Sequence, residues 1–203
     1  FFPMGFFSGL PLLLTSATLG TWLADVGVNK TTIGLFALVG IPYSLKFLWA
    51  SFLDTNIKLR LLKKMGRRRI WILIFQILIC VNIFIMANID PVINTMQMAI
   101  FAITLAFFSA SQDIAIDAWR IEINEEKELG LGAALYVTGY RIALLAAGAG
   151  ALVIADIYSW KLSFIILSSI FPLGIILVLT IKVEDQKRDE KVLKKSFKNI
   201  IEE

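Results

Sequence analysis

Long apolar runs alternate with short polar breaks along the chain. Residues 1–23, 32–53, 70–88, 96–119, 132–157 and 162–181 form six such runs. Each approaches or exceeds the roughly 20 residues that a helix needs to cross a bilayer. The pattern predicts an all-α membrane protein with six spanning helices. They make one domain over residues 1–182, followed by a charged segment over residues 183–203. Small residues and prolines mark particular runs. The first holds Gly5-x-x-x-Gly9, Pro3 and Pro11, which predicts close helix contact and a local loosening. The fifth, with its ALLAAGAGALVIA stretch, reads as a tightly packed interior helix. Pro172 interrupts the sixth.

Apolar residues make up 58% of the 203, above the usual range of about 45–50% for soluble domains. The first run is long and ends without a small-residue cleavage site, so it does not read as a cleavable signal peptide. The chain starts at Phe1 rather than Met, already inside apolar sequence, and so reads as a fragment lacking its true N-terminus. There is no histidine, which removes the commonest general base and metal ligand. The single cysteine, Cys80, lies in an apolar run, so no disulfide forms within the chain. No metal site, cofactor motif or nucleic-acid pattern is predicted, and no enzyme.

The net charge of +4 matters less than where the cations fall. Lys58, Arg60, Lys63, Lys64, Arg67, Arg68 and Arg69 crowd the loop between the second and third runs. Arg120 and Lys127 lie between the fourth and fifth. Lys182, Lys187, Arg188, Lys191, Lys194, Lys195 and Lys198 follow the sixth. The opposite side holds only Lys30 and Lys161. Cations collect on the cytoplasmic side, which puts both ends in the cytoplasm. Trp22, Trp49, Trp71, Trp119 and Trp160 all fall near run ends, as an interfacial aromatic belt requires.

Four charges within the runs stand out. Asp113 and Asp117 are four apart in FFSASQDIAIDAWR, residues 107–120, and share one helical face. Lys46 and Arg141 are the cations. Counting from the cytoplasmic ends at about 1.5 Å per residue puts Lys46, Asp113 and Arg141 about 9–14 Å deep, with Asp117 about 6 Å nearer the surface. The expectation is a neutral cluster in which each cation meets an acid, since pairing offsets the cost of burying charge. One reading makes it a packing device, with Asp117 reaching the headgroups. The other makes one acid a proton carrier, with the cations tuning it or holding an anionic ligand. Gln112, Ser111, Tyr43 and Tyr140 add hydrogen-bonding groups suited to a sugar- or peptide-like ligand.

These residues carry a family resemblance. Ala50-x-x-x-Asp54 followed by Gly66-Arg67-Arg68-Arg69 resembles the loop 2–3 signature of the major facilitator superfamily. Ala50 stands for the usual glycine, and residues 55–65 are an insert. Segments 5–23, 32–54, 66–79, 108–119 and 130–156 resemble AmpG-type anhydromuropeptide permeases, most specifically in Ser-Ala-Ser-Gln-Asp-x-x-x-Asp-Ala-Trp. This last string is also similar to acetyl-coenzyme A transporters. The resemblance implies the N-terminal half of a transporter built as a 3+3 inverted repeat. It implies proton-driven uptake of peptidoglycan-derived anhydromuropeptides across the bacterial inner membrane. The partners would be a muropeptide-like substrate, protons, membrane lipids and a second six-helix half. Asp113, Asp117, Lys46, Arg141, Gln112, Tyr43 and Tyr140 would then line the proton and substrate path. Asp54, Gly66, Arg67 and Arg68 would form the conformational loop. The segment 183–203 fits a linker between halves, either solvated or lying on the membrane with Leu193, Phe197, Ile200 and Ile201 toward lipid. The competing readings are transport of another anion such as an acyl-coenzyme A, a half-permease that no longer transports, and an intramembrane Mg²⁺-dependent transferase. The transferase lacks the second acidic motif that such sites need.

Overall fold

A computed structural model describes residues 1–54 and 66–181. The insert and the segment 183–203 lie outside the described residues. Span 1 comprises α1 (Phe2–Thr15) and α2 (Ala17–Asp25). Span 2 comprises α3 (Lys30–Leu35), a 3₁₀ turn (Phe36–Gly40), α4 (Ile41–Leu45), α5 (Phe47–Ala50) and a 3₁₀ turn (Ser51–Asp54). Span 3 is α6 (Arg67–Ala87) and span 4 is α7 (Thr95–Ile123). Span 5 comprises α8 (Leu129–Leu145), a π turn (Ala146–Gly150) and α9 (Ala151–Ile157). Span 6 is α10 (Trp160–Thr180).

Five spans are long and apolar enough to cross a membrane, and the bent second span makes six. The helices outrun the apolar windows at charged ends. α6 already includes Arg67–Arg69, and α7 runs on to Ile123. Asn29 caps α3 by accepting from Thr32 N–H at 2.8 Å, and Ser159 caps α10 by accepting from Leu162 N–H at 3.1 Å.

The helix contacts have a simple symmetry. Span 1 packs on span 5, and span 4 packs on span 2. Span 3 packs on span 4, and span 6 packs on span 1. Spans 3 and 6 pack on each other, as do spans 1 and 4. Exchanging spans 1–3 for spans 4–6 leaves this list unchanged. That is the pattern expected of two related three-helix units.

The span 1–span 5 contact is the closest. A Cβ on Gly5 would fall on the Tyr136 carbonyl oxygen, and one on Gly139 would fall on the Phe2 carbonyl oxygen. Only hydrogen at these positions lets the two backbones meet. Against the rest of this chain, 22% of span 5 is buried, compared with 39–61% in the other long spans. One edge is packed through Gly132, Tyr136, Gly139 and Ala143, while Leu131, Leu135, Ile142, Leu145 and Val153 are exposed. Among the described residues the small residues make a single close edge.

Three spans carry an internal proline, and the expected kinks differ in kind. Pro11 has no N–H to give the carbonyl four residues back, that of Phe7. α1 continues through it and breaks only at Ser16, whose φ is −123° and ψ −102°. The Phe7 carbonyl accepts instead from Gln112 Nε2 at 3.3 Å. Pro172 likewise strips the Ser168 carbonyl, which accepts from Cys80 Sγ–H at 3.4 Å. In span 2, Pro42 strips the Leu38 carbonyl, and Ile41 N–H reaches it by the tighter 3₁₀ spacing. That span was expected as one helix over residues 32–53. It is bent by 43° between Lys30–Leu45 and Phe47–Leu53.

Two apolar clusters form the core. The larger joins Leu10, Leu14, Ile83, Leu105, Ala143, Phe164 and their neighbours. The smaller joins Met4, Ile72, Ala115, Trp119, Tyr136 and Val178 at the other end. At the Gly5–Gly139 contact, the variant Gly139→Val is expected to cost about 1–3 kcal/mol or more, because backbone cannot yield to the added methyls. Loss of folded protein after detergent extraction, compared with Gly130→Ala where a Cβ meets open space, checks it.

Candidate functional site

A polar layer lies between the two apolar clusters. α1 contributes Ser8, between Met4 and Leu10. α7 contributes Ser109, Ser111, Gln112 and Asp113, between Ala106 and Ala115. α8 contributes Tyr140, between Tyr136 and Ala143. The close glycine contact between α1 and α8, and the packing of α1 on α7, bring these groups to one level.

Asp113 is the centre of the layer. It is 7% exposed, and its Oδ1 has no hydrogen-bond partner. The Ser8 hydroxyl faces it, and Lys46 and Asp117 lie within range of its field. The Ser8, Ser109 and Tyr43 hydroxyl oxygens and Gln112 Oε1 are also buried without partners. Tyr43 faces Ser109 and Thr15 and lies near Asp113 and Tyr140. Tyr136 and Tyr140 also lie near the carboxyl. Buried polar atoms without partners are costly, and a cluster of them around one acid is unusual in a well-packed interior. The arrangement is suited to gaining and losing a proton, or to bonding a polar group that arrives from outside.

Lys46 stands at the bend of span 2, between α4 and α5, and is half-buried. It shares the level of Asp113, as expected, but makes no ion pair among the described residues. The remaining pairings are corrected. Asp117 is 41% exposed on its side chain and pairs with Arg120 at 3.2 Å, one turn along the same helix. Arg120 also lies over the Tyr136 ring, 5.5 Å from its centroid. Arg141 is exposed and joins neither acid. The cause is rotation on α8. The edge buried against α1 passes through Tyr136, Gly139 and Ala143, and at about 100° per residue position 141 falls on the far side. Gln112 is fully buried and bonded to α1 backbone. Ser111 accepts from Trp49 Nε1 at 2.9 Å and donates to the Phe107 carbonyl.

The arginine string at the start of α6 divides its work. Gly66 has φ 76° and ψ 148°, a conformation that only glycine adopts readily, and it turns the chain into the helix. Arg68 Nε donates to Glu122 Oε1 at 2.9 Å, and Arg67 lies 3.6 Å from the same oxygen. Arg69 is buried and donates to the Val178 carbonyl at 2.6 Å, in the last turn of α10, where unpaired carbonyls favour a cation. The Asp54 side chain lies outside the described residues, so the expected latch with these arginines is described only on the arginine side. Sequence reasoning missed Ser8, Ser109, Tyr136 and Glu122. The spacing of Tyr136 and Tyr140, one helical turn apart, was the available signal for one of them.

A family model described as Major Facilitator Superfamily matches residues 1–201. The chain belongs to that superfamily. Within the superfamily it is 44% identical over 153 residues to an anhydromuropeptide permease of Escherichia coli strain K12, covering 75% of this chain and 30% of that protein. It is 33% identical over 191 residues to a putative transporter AmpG 4 of Rickettsia felis, covering 93% of this chain and 46% of the relative. An uncharacterized protein of Haemophilus influenzae is 40% identical over 180 residues, covering 89% and 41%. The chain thus spans less than half the length of these curated relatives. The resemblance to AmpG-type permeases and the all-helical fold stand as expected, with five spans and a bent sixth, and the chain is a multi-pass membrane segment of that superfamily.

The charge geometry has a direct consequence. Asp117→Asn is expected to leave the unfolding free energy within about 1 kcal/mol of wild type, because an exposed pair contributes little. Arg69→Gln is expected to cost about 1–3 kcal/mol, through the buried carbonyl of Val178. Thermal unfolding of the two purified variants in one detergent checks the ranking.

Proposed function

We propose that the chain is part of a proton-coupled uptake permease for anhydromuropeptide-type substrates in the bacterial inner membrane. The observation that carries the reading is the buried Asp113 carboxyl, unpartnered at Oδ1 and ringed by hydroxyls and Lys46. An acid held at mid-bundle without an ion pair is a candidate for protonation, because neutralising it removes the cost of its burial. Lys46, at the bend beside it, is the cation whose field changes meaning when the acid loses its charge. Asp117 and Arg120 lie one turn further toward the bundle end, where a proton or anionic group would enter or leave. Tyr43 and Tyr140 supply the hydrogen-bonding groups that a sugar or peptide uses.

The substrate class comes from the relatives named as anhydromuropeptide permeases, not from the geometry. The number and placement of cations support an orientation with both ends cytoplasmic. Exposed Arg141, with Thr138 and Ser44, supports a polar surface on spans 2 and 5. An arginine at that depth borders protein or water, not lipid. A second six-helix half would cover this surface and close the substrate path. The Arg67–Arg68–Glu122 contact would hold the cytoplasmic ends of spans 3 and 4 together in one state of the cycle.

The test is uptake of labelled anhydromuropeptide into cells or vesicles with an imposed proton gradient, using the whole reading frame that carries this chain. Asp113→Asn is expected to abolish gradient-driven accumulation while leaving membrane insertion intact. Asp113→Glu is expected to restore part of it. Accumulation at the wild-type rate in Asp113→Asn would refute the assignment of the proton to this residue.

A further inference from the structure

We propose that Gln112 is a positioning residue that ties the Asp113 carboxyl to a hinge in span 1. Two adjacent residues of α7 meet two adjacent residues of α1. Gln112 Nε2 donates to the Phe7 carbonyl at 3.3 Å, and Asp113 faces the Ser8 hydroxyl. The first contact exists because Pro11, one turn on, has no N–H for that carbonyl. The helix is weakened again just beyond. Ser16 N–H turns to the Leu13 carbonyl at 3.2 Å, leaving Leu12 to accept from the hydroxyls of Thr15 at 2.9 Å and Ser16 at 2.7 Å. Between Phe7 and Ser16, α1 therefore lacks two of its regular backbone bonds. A helix segment relieved of such bonds is where bending concentrates.

Gln112 is fully buried, and one of its amide N–H groups is committed to backbone while Oε1 has no partner. Its place beside Asp113 gives it a further use. Any shift of the carboxyl against Ser8 moves the α7 segment that grips the Phe7 carbonyl. The grip lies at the start of the hinge, so the shift is passed on as a change in the bend of span 1. The device is specific to this pair. The carbonyl stripped by Pro172 is held by Cys80, on a helix that carries no acid.

The use assigned here rests on the transport reading, but the test does not depend on it. Gln112→Met keeps the bulk and removes the donor. Pro11→Ala returns an N–H to the Phe7 carbonyl. The four combinations are compared in the whole reading frame, in a Cys80→Ser background that keeps a donor toward Ser168. Nitroxides at Phe2→Cys and Thr21→Cys, both at exposed positions, report the bend of span 1. Gln112→Met is expected to lower the unfolding midpoint by about 2–4 °C beside Pro11 and to leave it unchanged beside Pro11→Ala. It is also expected to broaden the label distance distribution, which Pro11→Ala narrows. Asp113→Asn is expected to shift that distribution with Gln112 present and not with Met. Failure to fold that Pro11→Ala rescues counts as the same coupling. Equal losses in both backgrounds, or an identical Asp113→Asn shift with and without Gln112, overturns the proposal. If wild type fails to take up muropeptide while the cycle still couples, the substrate assignment falls and the hinge stands.

Discussion

A backbone carbonyl that loses its helical partner inside hydrocarbon has no water to turn to. The architecture depends on how that demand is met at three prolines. Pro42 is answered within its own span, by tightening to 3₁₀ spacing, and span 2 bends beside Lys46. Pro172 is answered by Cys80 on α6, the partner helix of α10. Pro11 is answered by Gln112 on α7. The last two solutions cross between helices, so a local defect in one span becomes a fixed register with another. Each is a modest bond by itself, worth about 1 kcal/mol net. Leaving the carbonyl bare would cost more, and that asymmetry makes the pairing obligatory.

The polar layer follows from the same geometry. Hydrogen at Gly5 and Gly139 lets α1 and α8 approach until their backbones touch. That approach carries Tyr136 and Tyr140 toward the face of α7 that holds Asp113. Apolar clusters lie above and below the layer, and its hydroxyls and carboxyl are buried between them. A purely structural layer would be expected to pair these atoms with one another. Here the close contacts go to backbone, through Gln112 and Ser111, and the acid at the centre keeps an open oxygen.

Much of the fold was legible in the chain. Span number followed from run length, and the close span 1 contact followed from Gly5-x-x-x-Gly9. The shared level of Lys46 and Asp113 followed from rise per residue. What failed was rotation. Depth counts 1.5 Å per residue and tolerates an error of one position, whereas facing turns by about 100° for the same error. Arg141 therefore turns away from both acids, on the side of α8 opposite the edge packed on α1. The run of small residues in span 5 makes one close edge among the described residues. Composition gives the closeness of a contact but not how many faces make one. Glu122 was hidden in an acidic loop, since nothing in RIEINEEKEL distinguishes the residue that meets Arg67 and Arg68. Gln112 was chosen for its neighbourhood to Asp113 and proved to be bonded to the helix opposite.

Asp113 and Asp117 share one face of α7 and still have opposite fates. The difference is set by what α1 covers. In span 1, Ser8 lies over Asp113, while Met4 and Phe1 reach the level of Trp119. Asp117 stands at the rim of this cover, where Arg120 on the next turn reaches it and solvent screens both. Only the inner acid is both enclosed and without an ion pair. Two carboxylates of identical chemistry thus divide into a site and a surface pair. The division depends on which residues of another span lie against each acid, which no spacing within α7 records.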